Sequence, residues 1–260
     1  MQVRRWNRDR ISIMKCLILA AGYATRLYPL TQDFPKPLLK IQNKTILDWL
    51  LDDINRTGLI DQYAVISNHR FVHHFQDWTH DHVLPITVLD DGTESNETRL
   101  GAVRDIRFAI EQLNISDATL VIAGDNLLDF SLNGFLRFAQ KKQTACVMRF
   151  MEPDVAKLRK TGVAEIDETE RIIHMEEKPA EPKSHWCIPP FYLFQPADIP
   201  LVKKGIENGC GTDAPGSFIA WLSTQTSIHT YEMPGKRYDI GTLESYRIIQ
   251  KTYRGIIGGS

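Results

Sequence analysis

The run 15–39 reads KCLILAAGYATRLYPLTQDFPKPLL and holds two basic residues, Arg26 and Lys36, behind an apolar stretch. Residues 16–21 have the composition of a buried strand. At Gly22 the stretch breaks into a polar turn that carries Arg26, and Lys36 follows between two prolines. A strand that opens into a glycine-containing loop with fixed cations suits a triphosphate, because backbone N–H groups cradle the anion and the cations neutralise it. The loop has neither the G-K-[ST] ending of a Walker A loop nor a G-x-G-x-x-G pattern, so by itself it is equally an ordinary strand–turn. Three acidic positions recur where later strands are read to end: Asp125 in Gly124-Asp125-Asn126, Glu177 beside Lys178, and Asp239 before Ile240-Gly241. Ligands of open α/β sheets bind beyond the carboxyl ends of the strands, which makes residues placed there candidates. Each has a plain structural alternative. Arg26 and Lys36 could be solvated cations, Asp125 an Asx turn, Glu177-Lys178 a polar turn, and Asp239 a residue that starts the last helix. Together, in this order, they form a constellation for handling phosphate.

Alternating elements must carry these residues. Residues 46–56 place Ile46, Trp49, Leu50 and Ile54 on one helical face, and Gly58 ends that helix. Strands are expected at 62–67, 86–89, 118–123 and 144–150, with helices at 71–78, 100–113 and 132–142. That alternation argues for a parallel sheet with helices on both faces. From Gly162 the texture changes to short strands, 162–166, 172–176 and 191–194, separated by polar, proline-rich turns, as in a small antiparallel section beside the sheet. Helices at 199–207, 218–224 and 243–253 and a strand at 228–232 complete the pattern. Residues 1–12 are basic and aperiodic and read as a disordered tail or an upstream start, with a binding arm as the alternative; Gly258-Gly259-Ser260 reads as a frayed end.

Bulk properties narrow the function classes. The chain has 260 residues, 43% hydrophobic, enough for one large α/β domain. A net charge of −1 supplies no global field for nucleic acid or anionic lipid, so any grip on phosphate is local. The four cysteines, Cys16, Cys146, Cys187 and Cys210, form no CxxC pair and read as free thiols of a cytoplasmic protein. No apolar run approaches the roughly 20 residues that span a bilayer, and no apolar segment follows the N-terminal arginines as in a signal peptide. His69 and His73 have i, i+4 spacing, but no carboxylate or cysteine pattern joins them as zinc ligands.

The motifs LILAAGYATRLYPLTQDFPKPLL, GDN at 124–126, GVAEI at 162–166, EEKP at 176–179 and DIGTLESY at 239–246 give the chain a strong resemblance to the sugar-1-phosphate nucleotidylyltransferases. The resemblance runs from about Met14 to Tyr253. It implies a three-layer α/β/α Rossmann-like fold with a mixed, mainly parallel sheet and a small antiparallel sugar-binding section. It also implies one domain at 14–257 after an extension at 1–13, with a nucleotide-binding half at 14–150 and a sugar-phosphate half at 151–257. There is no room for the C-terminal β-helix or acetyltransferase domain that some relatives carry.

Residue by residue, the resemblance implies that the loop Ala20, Ala21, Gly22, Tyr23, Ala24, Thr25 and Arg26 wraps the triphosphate. Arg26 would sit on the β- and γ-phosphates and Lys36 on the α-phosphate. Gly124, and the stretch holding Thr98, Arg99 and Gly101, would belong to the nucleotide site. Asp125 and Asp239 would hold Mg²⁺. Gly162, Glu177 and Lys178 would bind the sugar phosphate. The implied partners are an NTP and a sugar-1-phosphate, with no nucleic acid and no membrane, and a homo-oligomer is compatible with the family. The chemistry is consistent with these roles: two anions must meet in line, and metal and fixed cations offset their repulsion.

Three departures stand out. Ala24 replaces the second glycine of the usual G-x-G-T-R-L loop, and a methyl there is tolerated only if φ stays negative. Glu97-Thr98-Arg99-Leu100-Gly101-Ala102 replaces an LGTAG-like base-reading segment, which leaves the nucleotide open; Arg99 could reach a base edge or a phosphate, or be solvated. Pro189-Pro190 replaces a small residue and glycine beside the sugar, removing a donor. The leading expectation is transfer of a nucleotidyl group from dTTP, UTP or CTP to a sugar-1-phosphate. The alternatives are a cytidylyltransferase acting on a phosphate such as phosphocholine or a phosphonate, and a non-catalytic regulatory paralogue.

Overall fold

The apolar runs of the sequence become strands of one ten-stranded sheet. A computed structural model describes residues 14–256; the basic tail at 1–13 and Gly258-Gly259-Ser260 lie outside the described residues. In chain order the strands are β1 (Met14–Leu19), β2 (Lys40–Ile41), β3 (Lys44–Thr45), β4 (Ile60–Ser67), β5 (Ile86–Asp90), β6 (Thr119–Ala123), β7 (Leu127–Leu128), β8 (Ala145–Met151), β9 (Gly162–Ile166), β10 (Ile172–Glu177), β11 (Trp186–Cys187), β12 (Phe191–Phe194), β13 (Ile228–Glu232) and β14 (Arg237–Tyr238). The helices are α1 (Ile46–Arg56), α2 (Val72–Thr79), α3 (Ala102–Leu113), α4 (Asn133–Lys142), α5 (Val155–Leu158), α6 (Ile199–Glu207), α7 (Gly216–Leu222) and α8 (Leu243–Thr252).

The sheet runs β10-β9-β11-β8-β12-β6-β1-β4-β5, with β13 also paired to β8; β2-β3 and β7-β14 are separate two-stranded ribbons. β1 lies parallel to both β4 and β6, so the carboxyl ends of these three strands lie together. β12 enters antiparallel between β6 and β8. The antiparallel section after Gly162 is therefore hydrogen-bonded into the main sheet, through β11 on β8, rather than set apart from it.

Burial on both faces explains why the central positions of β1 (Cys16 to Leu19) and β6 (Leu120 to Ala123) are apolar. Cys16, Ile18, Leu120 and Ile122 face one layer, while Leu17 and Val121 face the other. The first layer is closed by α1, α2 and α4 through Leu47, Leu50, Phe75, Phe135 and Leu136. The second is closed by α3, α6 and α7 through Val103, Ile106, Val202, Phe218 and Leu222. The result is the three-layer α/β/α arrangement. A third cluster, which includes Leu27, Leu127, Ile240, Ile249 and Tyr253, fixes α8 against the phosphate-loop side.

Differences at element ends have local causes. β1 stops at Leu19, short of the expected Ala21. Ala20 still donates to the Ile66 carbonyl, but beyond it the chain peels off the sheet. α3 begins at Ala102 because Gly101 sits at φ 92°, outside helical space. α1 starts where the periodicity placed it, at a reciprocal cap between Thr45 and Asp48. α7 begins two residues earlier than expected, right after Pro215. The short elements β2, β3, β7, β11, β14 and α5 were not expected, because two to four residues carry no readable period. Among the described residues no helix is long and apolar enough to cross a membrane.

Candidate active site

Where β1 ends, the chain forms a phosphate-sized cradle. Among the described residues, the backbone N–H groups of residues 21–26 make no hydrogen bond to protein, although their neighbours Ala20 and Leu27 do. The loop holds its shape by other bonds. Asn68 Nδ2 donates to the Ala21 carbonyl, Thr31 Oγ1 to the Ala24 carbonyl, and Tyr23 Oη to the Thr93 carbonyl. A side chain at Gly22 would meet nothing within 4 Å, so the space above the loop is open. Successive unpaired N–H groups around an open space make an anion site.

Ala24 corrects the sequence-based expectation. Its φ is 46°, in the left-handed region, so the loop keeps the glycine conformation although the residue is alanine. The demand comes from the turn: Leu27 N–H and Thr31 Oγ1 both reach the Ala24 carbonyl, and the short helical turn at Thr25–Leu27 follows at once. An L-residue there carries strain of ~1 kcal/mol.

Lys36 and Asp125 meet at the floor of this site. Lys36 lies in a single helical turn framed by Pro35 and Pro37 and is only 9% exposed. Its Nζ is 2.7 Å from Asp125 Oδ2. Gly124 makes the approach possible: a Cβ there would come within 2.9 Å of Ile18 and 3.6 Å of Pro37, and its N–H instead bonds the Leu19 carbonyl. Burial pushes the Asp125 carboxyl up, but the Lys36 ammonium, by charge and hydrogen bond, and then Arg237, outweigh it and hold the group below the usual range. Asp125 is ionised at neutral pH.

Two cavities adjoin here. One of about 240 Å³ is lined by Gly22, Ala24, Arg26, Lys36, Asp125 and Gly241. A larger one of about 720 Å³ shares Arg26 and contains Arg237 and Asp239. Asp239 is exposed and is not the cap of α8; Thr242 takes that role with Ser245. The capping alternative for Asp239 is thus removed.

Glu177, Lys178 and Gly162 form a second cluster. The Glu177 carboxylate occupies the space that side chains at Gly162 and Gly216 would fill, with Oε2 at 2.9 Å and 2.0 Å from the respective Cβ positions. Burial raises its carboxyl; Lys178 opposes the shift and Asp213 adds to it. Lys178 is exposed and held at φ 52°, with its N–H on the Thr161 carbonyl. Backbone strain of this kind collects at ligand sites. The cluster meets the first one at the strand ends, where Ala123 N–H donates to the Pro190 carbonyl.

In the stretch 98–102, Thr98 and Arg99 are exposed, and Arg99 and Gly101 lie against Thr212-Asp213. Arg99 Nε bonds Asp213 Oδ1 at 2.8 Å, and Arg99 also reaches the Asn96 carbonyl. Gly101 is required by packing, since a Cβ would lie 2.5 Å from the Thr212 carbonyl oxygen. Thr98 closes a local turn with Ser95. The structure thus brings Arg26, Lys36, Asp125 and Asp239 around adjoining cavities, and joins Arg99 and Gly101 to the Glu177 cluster through Asp213.

Sequence reasoning missed Arg237, Asp213 and Gly216. Arg237 had a readable signal: it lies two residues before Asp239, on the same side of an extended chain. Gly216 had none, because its role depends on a side chain from β10. The histidines are accounted for locally. His69 Nδ1 is 2.6 Å from Asp90, and His74 bonds the Asp33 carbonyl. Among the described residues no group of three or more potential metal ligands gathers. Cys16, Cys146 and Cys187 are buried free thiols, and Cys210 is half-buried and free.

Comparison with known proteins identifies the family and the fold. Residues 15–255 match the family model for nucleotidyl transferases. A glucose-1-phosphate adenylyltransferase of Fervidobacterium nodosum is 25% identical over 245 residues, 88% of this chain, and the chain spans 59% of that relative's length. A UDP-glucose pyrophosphorylase solved with UDP-glucose superposes with a TM-score of 0.79 at 22% identity, covering 93% of this chain and 98% of that one. A Bacillus anthracis structure holding sucrose, provisionally identified as a glucose-1-phosphate thymidylyltransferase, gives 0.78 at 23% identity, covering 95% and 98%. At these identities the structural likenesses establish the fold.

Proposed function

The chain belongs to the nucleotidyl transferase family, and from that premise we propose that it transfers a nucleoside monophosphate from an NTP to a sugar-1-phosphate, releasing pyrophosphate. The observation that carries this reading is the cleft at the ends of β1 and β6, where unpaired loop N–H groups, Arg26 and the Lys36–Asp125 pair face one cavity.

Each residue has a task in that reading. The N–H groups of residues 21–26 bind the triphosphate oxygens, and Arg26 neutralises the charge that builds on the departing pyrophosphate. Lys36 is fixed by Asp125 and keeps further N–H donors free for the α-phosphate. The nucleophile is an ionised phosphate oxygen, so no general base is required, and positioning with charge neutralisation does the chemistry. Glu177, wedged between Gly162 and Gly216, is placed to accept hydrogen bonds from sugar hydroxyls, with Lys178 beside it for the phosphate.

The donor set fits Mg²⁺. Asp125 is held ionised, and Asp239 has no partner among the described residues. Two such carboxylates suit a small hard cation that keeps several waters and takes phosphate oxygens as its other ligands. When bound, the ion polarises the α-phosphate and screens it from the incoming anion.

The expected donor is dTTP, UTP or CTP. The names of similar proteins include an adenylyl donor, so the test spans all of these together with ATP. Pyrophosphate release is measured for each NTP with glucose 1-phosphate, other sugar phosphates, phosphocholine and a phosphonate. One sugar phosphate pair should dominate. Tight nucleotide binding with no turnover for any pair would overturn the reading.

A further inference from the structure

The larger cavity is built for more negative charge than a neutral sugar brings. Its lining includes Thr161, Pro189 and Pro190, which adjoin the Glu177–Lys178 cluster: Lys178 N–H bonds the Thr161 carbonyl, and Ile188 N–H bonds the Gly162 carbonyl. Arg26 and Asp239 line it as well. A polar but neutral acceptor is expected to meet hydrogen-bond donors and acceptors in balance. Here the two prolines present no N–H, and their carbonyls are already used by Phe191 and Ala123.

What the wall offers instead is cationic. Arg26, Lys157, Lys160, Lys236 and Arg237 line the cavity, against Glu152, Glu232 and Asp239. Glu152 is engaged by Lys157 at 3.6 Å, and Glu232 by Arg149 at 3.5 Å. Among the described residues, Arg26, Lys160, Lys236 and Arg237 have no carboxylate within ion-pair distance. Arg237 is the most telling of them. Its guanidinium makes one long bond, 3.3 Å to Asn126 Oδ1, lies 5.5 Å from the Phe150 ring centre, and leaves Nε buried without a partner. A half-buried guanidinium so poorly satisfied is an incomplete anion site, because the planar fork can still take a carboxylate or a phosphate.

We propose that the acceptor is a sugar phosphate carrying a second anionic group, a carboxylate or another phosphate, which the cavity holds through Arg237 with Lys160 and Lys236 at its rim. This rests on the nucleotidyl-transfer reading and names the class of acceptor for it.

The test compares binding of glucose 1-phosphate, glucuronic acid 1-phosphate and glucose 1,6-bisphosphate to the full chain by titration calorimetry, with pyrophosphate release followed in parallel. At least one doubly anionic acceptor should bind about tenfold more tightly than glucose 1-phosphate, the effect of one charge-assisted contact. The double variant Lys160→Met, Lys236→Met should cut that preference by about threefold, Arg237 retaining the rest, and leave glucose 1-phosphate binding within about twofold. Equal binding of all three, or a preference unmoved in the variant, overturns the proposal. So does inorganic phosphate that binds together with glucose 1-phosphate and is lost in the variant, since the wall would then serve a separate anion. A preference that obeys the expectation, without pyrophosphate release for any NTP, supports the anion site and overturns nucleotidyl transfer instead.

Discussion

Asp125 and Ala24 show two ways in which a residue is held in place. Asp125 is placed by Gly124 and held ionised by Lys36, and in the proposed reading its charge also serves a cation. Asp125→Asn keeps the shape and removes the charge. Turnover should fall by ~10²–10³-fold with the circular dichroism spectrum unchanged, and normal activity would remove Asp125 from the metal-binding role. Ala24 shows the opposite case, a residue whose type resists its conformation. At φ 46° its methyl is strained, whereas glycine adopts this region freely. Ala24→Gly should raise stability by ~0.5–1 kcal/mol, or about 1–4 °C in melting temperature, with turnover retained. A loss of stability would mean that the loop relaxes around the alanine in solution.

At the scale of elements, the proposed acceptor side depends on how α7 meets β10. Gly216 is the first residue of α7, and the Glu177 carboxylate from the end of β10 fills the space its side chain would take. Gly216→Ala would put a methyl 2.0 Å from Glu177 Oε2. The carboxylate is the far end of a flexible side chain, so the helix should stand and Glu177 should swing away. The expected result is an acceptor KM raised about tenfold with the KM for NTP unchanged. An unaltered acceptor KM would separate Glu177 from acceptor binding. α3 makes a matching point on the nucleotide side: Gly101 lets its first turn lie against Thr212-Asp213, and Arg99 is tied to the same aspartate.

For the whole molecule, one buried carboxylate couples stability to pH. Asp105, in the first turn of α3, is 5% exposed, and its Oδ1 has no hydrogen bond. Burial, then the charge of Asp91, pushes its carboxyl from 3.8 up to about 7. The folded protein therefore keeps a proton that the unfolded chain gives up. That contribution to stability is full below about pH 4 and is lost as pH rises through about 7. Asp105→Asn should raise the melting temperature at about pH 8, by ~1–3 kcal/mol in stability, and flatten its decline between these limits. An unchanged pH profile would show that Asp105 is solvated in solution. The sequence by itself determined the alternation of strands and helices and the apolar faces of β1, β6, α1 and α4, because burial on two faces imposes periods that a single chain displays. It also determined that Arg26, Lys36, Asp125, Glu177 and Asp239 stand where strands are read to end. Tertiary structure alone decided what these residues do to one another. The short contact of Lys36 with Asp125, the cradle for Glu177 between Gly162 and Gly216, and the place of Arg237 in the basic wall all join segments far apart in the chain, and no local period records them. The left-handed turn at Ala24 was likewise hidden, because the carbonyl that two later groups share overrides what the residue type prefers.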